Sequence, residues 1–276
     1  MRFHAYDGTE LAFLLRGEGE PLIVLPGGAM RDSAYFGDLG GLDAHRRLVL
    51  LDLRGTGASE VPADPDTYRC DRQVDDVEAL REHLGLERMD VLAHSASGSL
   101  AMLYAARRPE RVGRLALVAP SLQAVGPAAT PEEYRAAALL HTGEPWFDEA
   151  YAALDAVLSG QEPKGSPSPL FYGRWDEAAQ AHAAATDKQI NWEAAARYGV
   201  DEAFDAPATR EALKELAAPV LVLAGEQDGG PTPKRAGELA ALFPHGEVAV
   251  QPGGGHYPWL DDPEWFVGTV AGFFAR

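Results

Sequence analysis

Val91-Leu92-Ala93-His94-Ser95-Ala96-Ser97-Gly98 is the stretch on which this chain turns: an apolar strand ending in small residues and opening into a helix predicted over Ser97–Arg107. A serine on a sharp strand-to-helix turn has its hydroxyl held clear of the sheet. The helix N-terminus behind it favours negative charge developing at a reacting centre. The usual pattern is Gly-x-Ser-x-Gly, and here Ala93 and Ser97 stand in for the glycines. A serine in such a turn is also a common helix cap. The assignment of Ser95 as a nucleophile therefore rests on its partners.

Two candidates follow later in the chain. Pro219–Gly225 reads as a buried strand, with Asp228 just past its C-terminal end. Glu247–Gln251 alternates as a strand and runs through Pro252-Gly253-Gly254-Gly255 to His256. Each has an ordinary alternative. Asp228 is placed to make a turn before Pro231, with Glu226 supplying the carboxylate instead, and His256 is placed to be a solvated loop histidine. As a set, however, the three groups all fall at strand C-terminal ends, where parallel sheets gather catalytic and ligand groups. Their order, Ser then Asp then His, differs from that of the two best-known protease triads.

An acyl-transfer site also needs donors for an oxyanion. Pro21–Leu25 reads as a buried strand that leads into Pro26-Gly27-Gly28-Ala29, where glycines let backbone N–H groups come close to a ligand. The N–H groups of Gly28 and of Ala96, the residue after the serine, are the predicted pair. A plain Pro-Gly turn is the alternative. A phosphate-cradling loop is disfavoured, because neither Gly-Lys-Ser/Thr nor Gly-x-Gly-x-x-Gly follows.

With Asp52-Leu53-Arg54-Gly55-Thr56-Gly57-Ala58-Ser59, which looks like a D-x-R-G-x-G-x-S loop, the set resembles the α/β-hydrolase superfamily over roughly residues 1–120 and 215–276. Within it, the chain looks most like the proline iminopeptidase branch. It departs from that branch's His-Gly-Gly-Pro-Gly loop at Pro26, Ala29 and Met30, and from its Gly-Gly-Ser-Trp-Gly elbow at Ala93–Ser97. The resemblance implies an α/β fold: a mostly parallel eight-stranded sheet with helices on both faces and an inserted helical cap. It implies a cofactor-free serine hydrolase with the triad Ser95, His256 and Asp228 and an acyl-enzyme. The substrate expected is a small amide or peptide with a free N-terminus. Asn191-Trp192-Glu193 resembles the Trp-Glu step on which that branch holds the free amino group, so Trp192 and Glu193 are candidate substrate-binding residues; a surface glutamate after a packed tryptophan is the other option. A carboxylic ester, thioester or lactone is the alternative substrate. A non-hydrolytic tailoring enzyme, lyase or ligand receptor on the same fold is the alternative of another class. Dehalogenase and epoxide hydrolase relatives carry Asp where this chain has Ser95.

Composition sets the bounds. A chain of 276 residues, 46% hydrophobic and 24% charged, can bury one substantial core. A net charge of −18 disfavours nucleic acid and anionic membranes as partners, leaving a small-molecule or short-peptide substrate. One cysteine, Cys70, permits no internal disulfide and no metal cluster, so no metal is expected. The start, Met1-Arg2-Phe3-His4-Ala5-Tyr6-Asp7, has no apolar signal region, and the expected location is cytoplasmic. Nothing in the sequence fixes the oligomeric state.

Short Val/Leu runs alternating with helices predict a core from residues 1–120 and 208–276. Asp71–Leu84 and Pro263–Arg276 are predicted helices of that core. The alternation stops between Ser121 and Pro207. Residues 121–207 carry helix-like segments near 131–141, 146–159 and 175–198, an excess of acidic over basic residues, and aromatics that include Trp146, Phe171, Tyr172 and Trp192. This segment is the predicted cap, some of whose aromatics should line the substrate pocket.

Overall fold

The structure is a computed structural model that describes all of residues 1–276. Eight strands form one sheet: β1 (Arg2–His4), β2 (Glu10–Arg16), β3 (Pro21–Leu25), β4 (Arg47–Asp52), β5 (Met89–His94), β6 (Val112–Val118), β7 (Val220–Gly225) and β8 (Gly246–Gln251), in the spatial order β1-β2-β4-β3-β5-β6-β7-β8. The pairs β1–β2 and β2–β4 are antiparallel, and every other pair is parallel. The eight-stranded, mostly parallel sheet expected from the sequence is therefore present.

Period-two alternation sends each strand's side chains to two faces. Ile23, Val49, Val91, Leu117 and Val222 bury against one layer, which includes α1 (Val74–His83), α2 (Ser97–Arg107) and α9 (Pro233–Ala240). Val24, Leu50, Leu92, Val118 and Leu223 bury against the other, where Trp259, from the short helix α10 (Pro258–Asp261), packs with Phe266, Val270 and Phe273 of α11 (Pro263–Phe274). Continuous apolar strands are what a sheet covered on both faces requires. Cys70 sits in the first of these layers, and burial pushes its thiol up to about 12.

Between β6 and β7 the chain is helical: α3 (Pro131–Ala138), α4 (Phe147–Leu158), α5 (Glu177–Ala184), α6 (Thr186–Gln189), α7 (Trp192–Tyr198) and α8 (Ala206–Leu213). The stretch expected as one helical segment over 175–198 is three short helices. Asp176 caps α5 through the Ala179 N–H, and Asn191 restarts the chain at α7 by accepting from the Ala194 N–H. The break has a positional consequence. Ile190 pairs with Arg31 in an isolated bridge, with Asp32 N–H donating to the Gln189 carbonyl and Asn191 N–H to that of Met30. The helical segment is thereby stitched to the loop that follows β3.

The Asp52–Ser59 loop is a structural hub. Asp52 accepts from the Ser33 N–H and hydroxyl and from the Ala58 N–H, while Arg54, fully buried, is paired with Asp76 and Asp7. A Cβ at Gly57 would fall within 2.4 Å of the Asp52 carboxyl carbon, so the turn tolerates only glycine there.

Candidate active site

Ser95 leaves β5 with φ +52, a left-handed conformation that costs a non-glycine residue energy and persists where the surroundings impose it. The imposition is visible: its N–H donates to the Val118 carbonyl, and its own carbonyl accepts from Gly98 and Ser121. Gly98, one place beyond the usual glycine of such elbows, lets α2 close on the chain after β6, since a Cβ there would meet that of Pro120 at 2.5 Å. Ser97, in the glycine's usual place, is fully buried and donates its hydroxyl to the Pro26 carbonyl.

The three residues singled out in the sequence come together. His256 Nε2 lies 2.9 Å from Ser95 Oγ, and His256 Nδ1 lies 2.8 Å from Asp228 Oδ2. Asp228 is buried and also accepts from the Gly230 N–H at 2.8 Å, so its carboxylate is held by more than the imidazole. Glu226, the other carboxylate considered, instead accepts from the Gly253 N–H. The histidine loop is pinned on both sides. The His256 N–H donates to the Phe171 carbonyl at 2.8 Å. Asp261 accepts from Gly255 N–H at 2.7 Å and from Gly173 N–H at 2.9 Å, and burial pushes its carboxyl up to about 6.

The loop after β3 lies over the serine. A Cβ at Gly27 would stand 2.7 Å from the Ser95 Cβ, and Gly28 has φ +104 with Arg31 where its Cβ would go. The N–H groups of Gly28 and Ala96 engage no acceptor within the chain. Sequence reasoning missed what holds this loop. Gly27 N–H donates to Tyr35 Oη at 2.8 Å, Tyr35 Oη lies 2.7 Å from His94 Nδ1, and His94 Nε2 lies 2.9 Å from the His256 carbonyl oxygen. With Nε2–H donating to that carbonyl, Nδ1 accepts from the Tyr35 hydroxyl. Burial, reinforced by the nearby His256, holds the His94 imidazole well below its ordinary value, so it is neutral at pH 7. His94, next to the serine in sequence, was the one available signal.

Two cavities meet at Ser95, Phe171 and His256. The smaller, about 160 Å³, runs past Ala96, Leu122, Tyr134 and Pro231. The larger, about 350 Å³, is lined by Gly28, Arg31, Tyr35, Tyr172, Ile190 and Trp192 among others, and no acidic residue borders it. Trp192 thus reaches the larger cavity with an otherwise exposed ring. Glu193 does not: it is exposed on the first turn of α7 and borders neither cavity.

The comparisons with known proteins agree with this architecture. Residues 20–263 match the model of the alpha/beta hydrolase fold family. A proline iminopeptidase of Lactobacillus helveticus is 39% identical over 107 residues, but that alignment spans only 38% of this chain and 36% of that one. A proline iminopeptidase of Heyndrickxia coagulans is 24% identical over 93% of this chain and 91% of its own. Among solved structures, the enol-lactonase from Burkholderia xenovorans LB400 superposes with a TM-score of 0.72 at 25% identity, covering the whole of both chains. No helix of this chain is long and apolar enough to cross a membrane. Sheet order, elbow and family match together make this chain a member of the α/β hydrolase fold family.

Proposed function

We propose that this protein is a serine hydrolase, an esterase that cleaves carboxylic esters or lactones through an acyl-enzyme. The observation that carries the proposal is the continuous hydrogen-bonded line from Ser95 Oγ through His256 to the buried Asp228. His256 takes the Ser95 proton as the hydroxyl attacks the ester carbonyl, and returns it to the departing alcohol. Asp228 keeps Nδ1 protonated and stabilises the imidazolium that forms. The N–H groups of Gly28 and Ala96 donate to the oxyanion of each tetrahedral intermediate. Water, activated by His256, then releases the acid.

Esters are favoured over N-terminal peptides by electrostatics. An aminopeptidase, which the names of the sequence relatives suggest, holds an ammonium group and needs a carboxylate facing the pocket. The larger cavity is instead bordered by the buried, cationic Arg31, with Glu193 out on the surface. The enol-lactonase among the structural neighbours acts on a cyclic ester, which is consistent with this preference.

A fluorophosphonate probe should label the wild-type protein and not Ser95→Ala. p-Nitrophenyl butyrate should be turned over at least a hundred times faster than a prolyl p-nitroanilide. Equal labelling of both proteins would remove Ser95 from its role, and faster cleavage of the anilide would return the chain to the aminopeptidases.

A further inference from the structure

Arg31 is only 1% exposed, yet it forms no ion pair. The other deeply buried guanidiniums are neutralised: Arg54 by Asp76 and Asp7, Arg81 by Glu78. Arg31 has neutral partners only. Its Nε and Nη2 share the Gln189 amide oxygen at 2.9 and 2.7 Å, Nη2 reaches the His182 carbonyl at 3.2 Å, and its plane lies 4.4 Å from the centre of the Tyr35 ring. Nη1 makes no hydrogen bond of normal geometry, and the neutral Tyr257 hydroxyl beside the guanidinium feels its charge. Removing a cation from water without a counter-charge is expensive, and a buried donor left unpaired adds to the cost.

No carboxylate pairs with it directly; the adjacent Asp32 feels its charge from a distance but accepts from the Ala34 N–H instead. Tyr35, Tyr172 and Tyr257 border the same cavity as neutral phenols. Beside them, burial and then the Arg31 charge push the His182 imidazole down to about 4. In a chain carrying 42 acidic residues, this cavity is bordered by none. It also contains Ser95 and Gly28, so whatever neutralises Arg31 is within reach of the nucleophile.

We infer that the Arg31 end of the larger cavity is a carboxylate subsite, and that the substrate is an ester or lactone bearing a second, free carboxylate. This inference rests on the esterase assignment only for the reacting bond; the subsite stands on Arg31 and the cavity. A planar guanidinium with one end free meets a carboxylate oxygen with a charge-assisted hydrogen bond that water exclusion strengthens. Gln189 and the Tyr35 ring hold the guanidinium in place before the ligand arrives, so little side-chain freedom is lost on binding.

The test separates binding from turnover. In the Ser95→Ala protein, titration calorimetry should show monomethyl adipate binding at least tenfold more tightly than dimethyl adipate, and the added Arg31→Met substitution should abolish the difference. In the protein with Ser95 intact, two ester pairs place the charge on either side of the scissile bond. They are p-nitrophenyl hydrogen adipate against its methyl ester, and 3-(butyryloxy)benzoate against phenyl butyrate. At least one pair should show a tenfold preference in kcat/KM for the carboxylate form. That preference should vanish in Arg31→Met and return in part in Arg31→Lys. A purely structural Arg31 would lower both members of each pair alike and leave their ratio unchanged. Equal binding of the two adipates by the Ser95→Ala protein overturns the subsite, whether or not the variants fold. Tight carboxylate binding with no ester turnover would sink the esterase assignment and leave the subsite standing.

Discussion

The Tyr35 hydroxyl lies 2.7 Å from Nδ1 of His94, and through that contact the loop over Ser95 is tied to the loop that carries His256. One end of the line is the Gly27 N–H and the other is the carbonyl of His256 itself. Tyr35→Phe keeps the ring and its stack on Phe36 but leaves the buried Gly27 N–H and His94 Nδ1 unpaired. Stability should fall by about 1–3 kcal/mol, read from urea melts. The kcat on a neutral p-nitrophenyl ester should fall about tenfold, because the two halves of the site lose their common reference. Unchanged kcat would show that each loop is held independently.

Ser97 occupies the place where glycine is usual, and its hydroxyl holds the Pro26 carbonyl. Ser97→Gly would restore the common elbow pattern yet should make this protein worse. The Pro26 carbonyl would lose its donor, costing roughly 1–3 kcal/mol of stability, and kcat should drop several-fold as the loop over Ser95 loosens. A more active glycine variant would mean that the serine hinders the turn.

Gly28 is irreplaceable for two separate reasons. Its φ of +104 is one that side chains rarely adopt, and a Cβ there would come within 2.4 Å of the Arg31 Cβ. Gly28→Ala must move either the N–H proposed for the oxyanion or the guanidinium. A loss on the order of 10² in kcat, with KM for a neutral ester changed far less, is the expected result. Alanine-variant activity within threefold of wild type would place the oxyanion donor elsewhere.

Acid should destabilise the fold in a defined window. Burial and the neighbouring Arg31 charge depress the folded-state value of His182 to about 4, against an ordinary 6.5. The unfolded chain therefore takes up this proton first as pH falls. The contribution is complete above about pH 6.5 and is lost as pH falls toward 4, by roughly 3 kcal/mol at most. His94 is depressed in the same direction, so it adds to the effect. His182→Gln should show a shallower fall in melting temperature between pH 6.5 and 4 than wild type. Parallel curves would mean that His182 is hydrated in the folded state.

What was legible in the sequence was local. The apolar runs of β3, β5, β6 and β7 have a two-sided burial pattern that composition alone signals, and the residues just past their C-terminal ends follow from parallel topology. The break of the 175–198 stretch was less legible, because caps such as Asp176 and Asn191 read as ordinary polar helix residues until the chain's path is known. Arg31 gave no signal. It looks like a surface arginine after a glycine turn, and what buries it includes Gln189, far along the chain and brought over by the Ile190 bridge. Glu193 failed for the opposite reason: a motif resemblance supplied a role, but the helical phase of α7 turns that carboxylate outward while Ala194 takes the buried position.

The helices between β6 and β7 supply Tyr134 to one cavity, Trp192 to the other and Phe171 to both, whereas Ser95, Asp228 and His256 all sit on the strand ends outside that span. The pocket wall is thus divided along the gene: an inner passage supplies these aromatic side chains, and the two flanking passages supply Arg31, Tyr35 and Tyr257 together with Ser95, Asp228 and His256. Replacing the inner passage alone would redraw the aromatic wall beside Ser95, provided that the newcomer still met the Ile190 bridge, the Phe171 carbonyl and the Gln189 contact that holds Arg31.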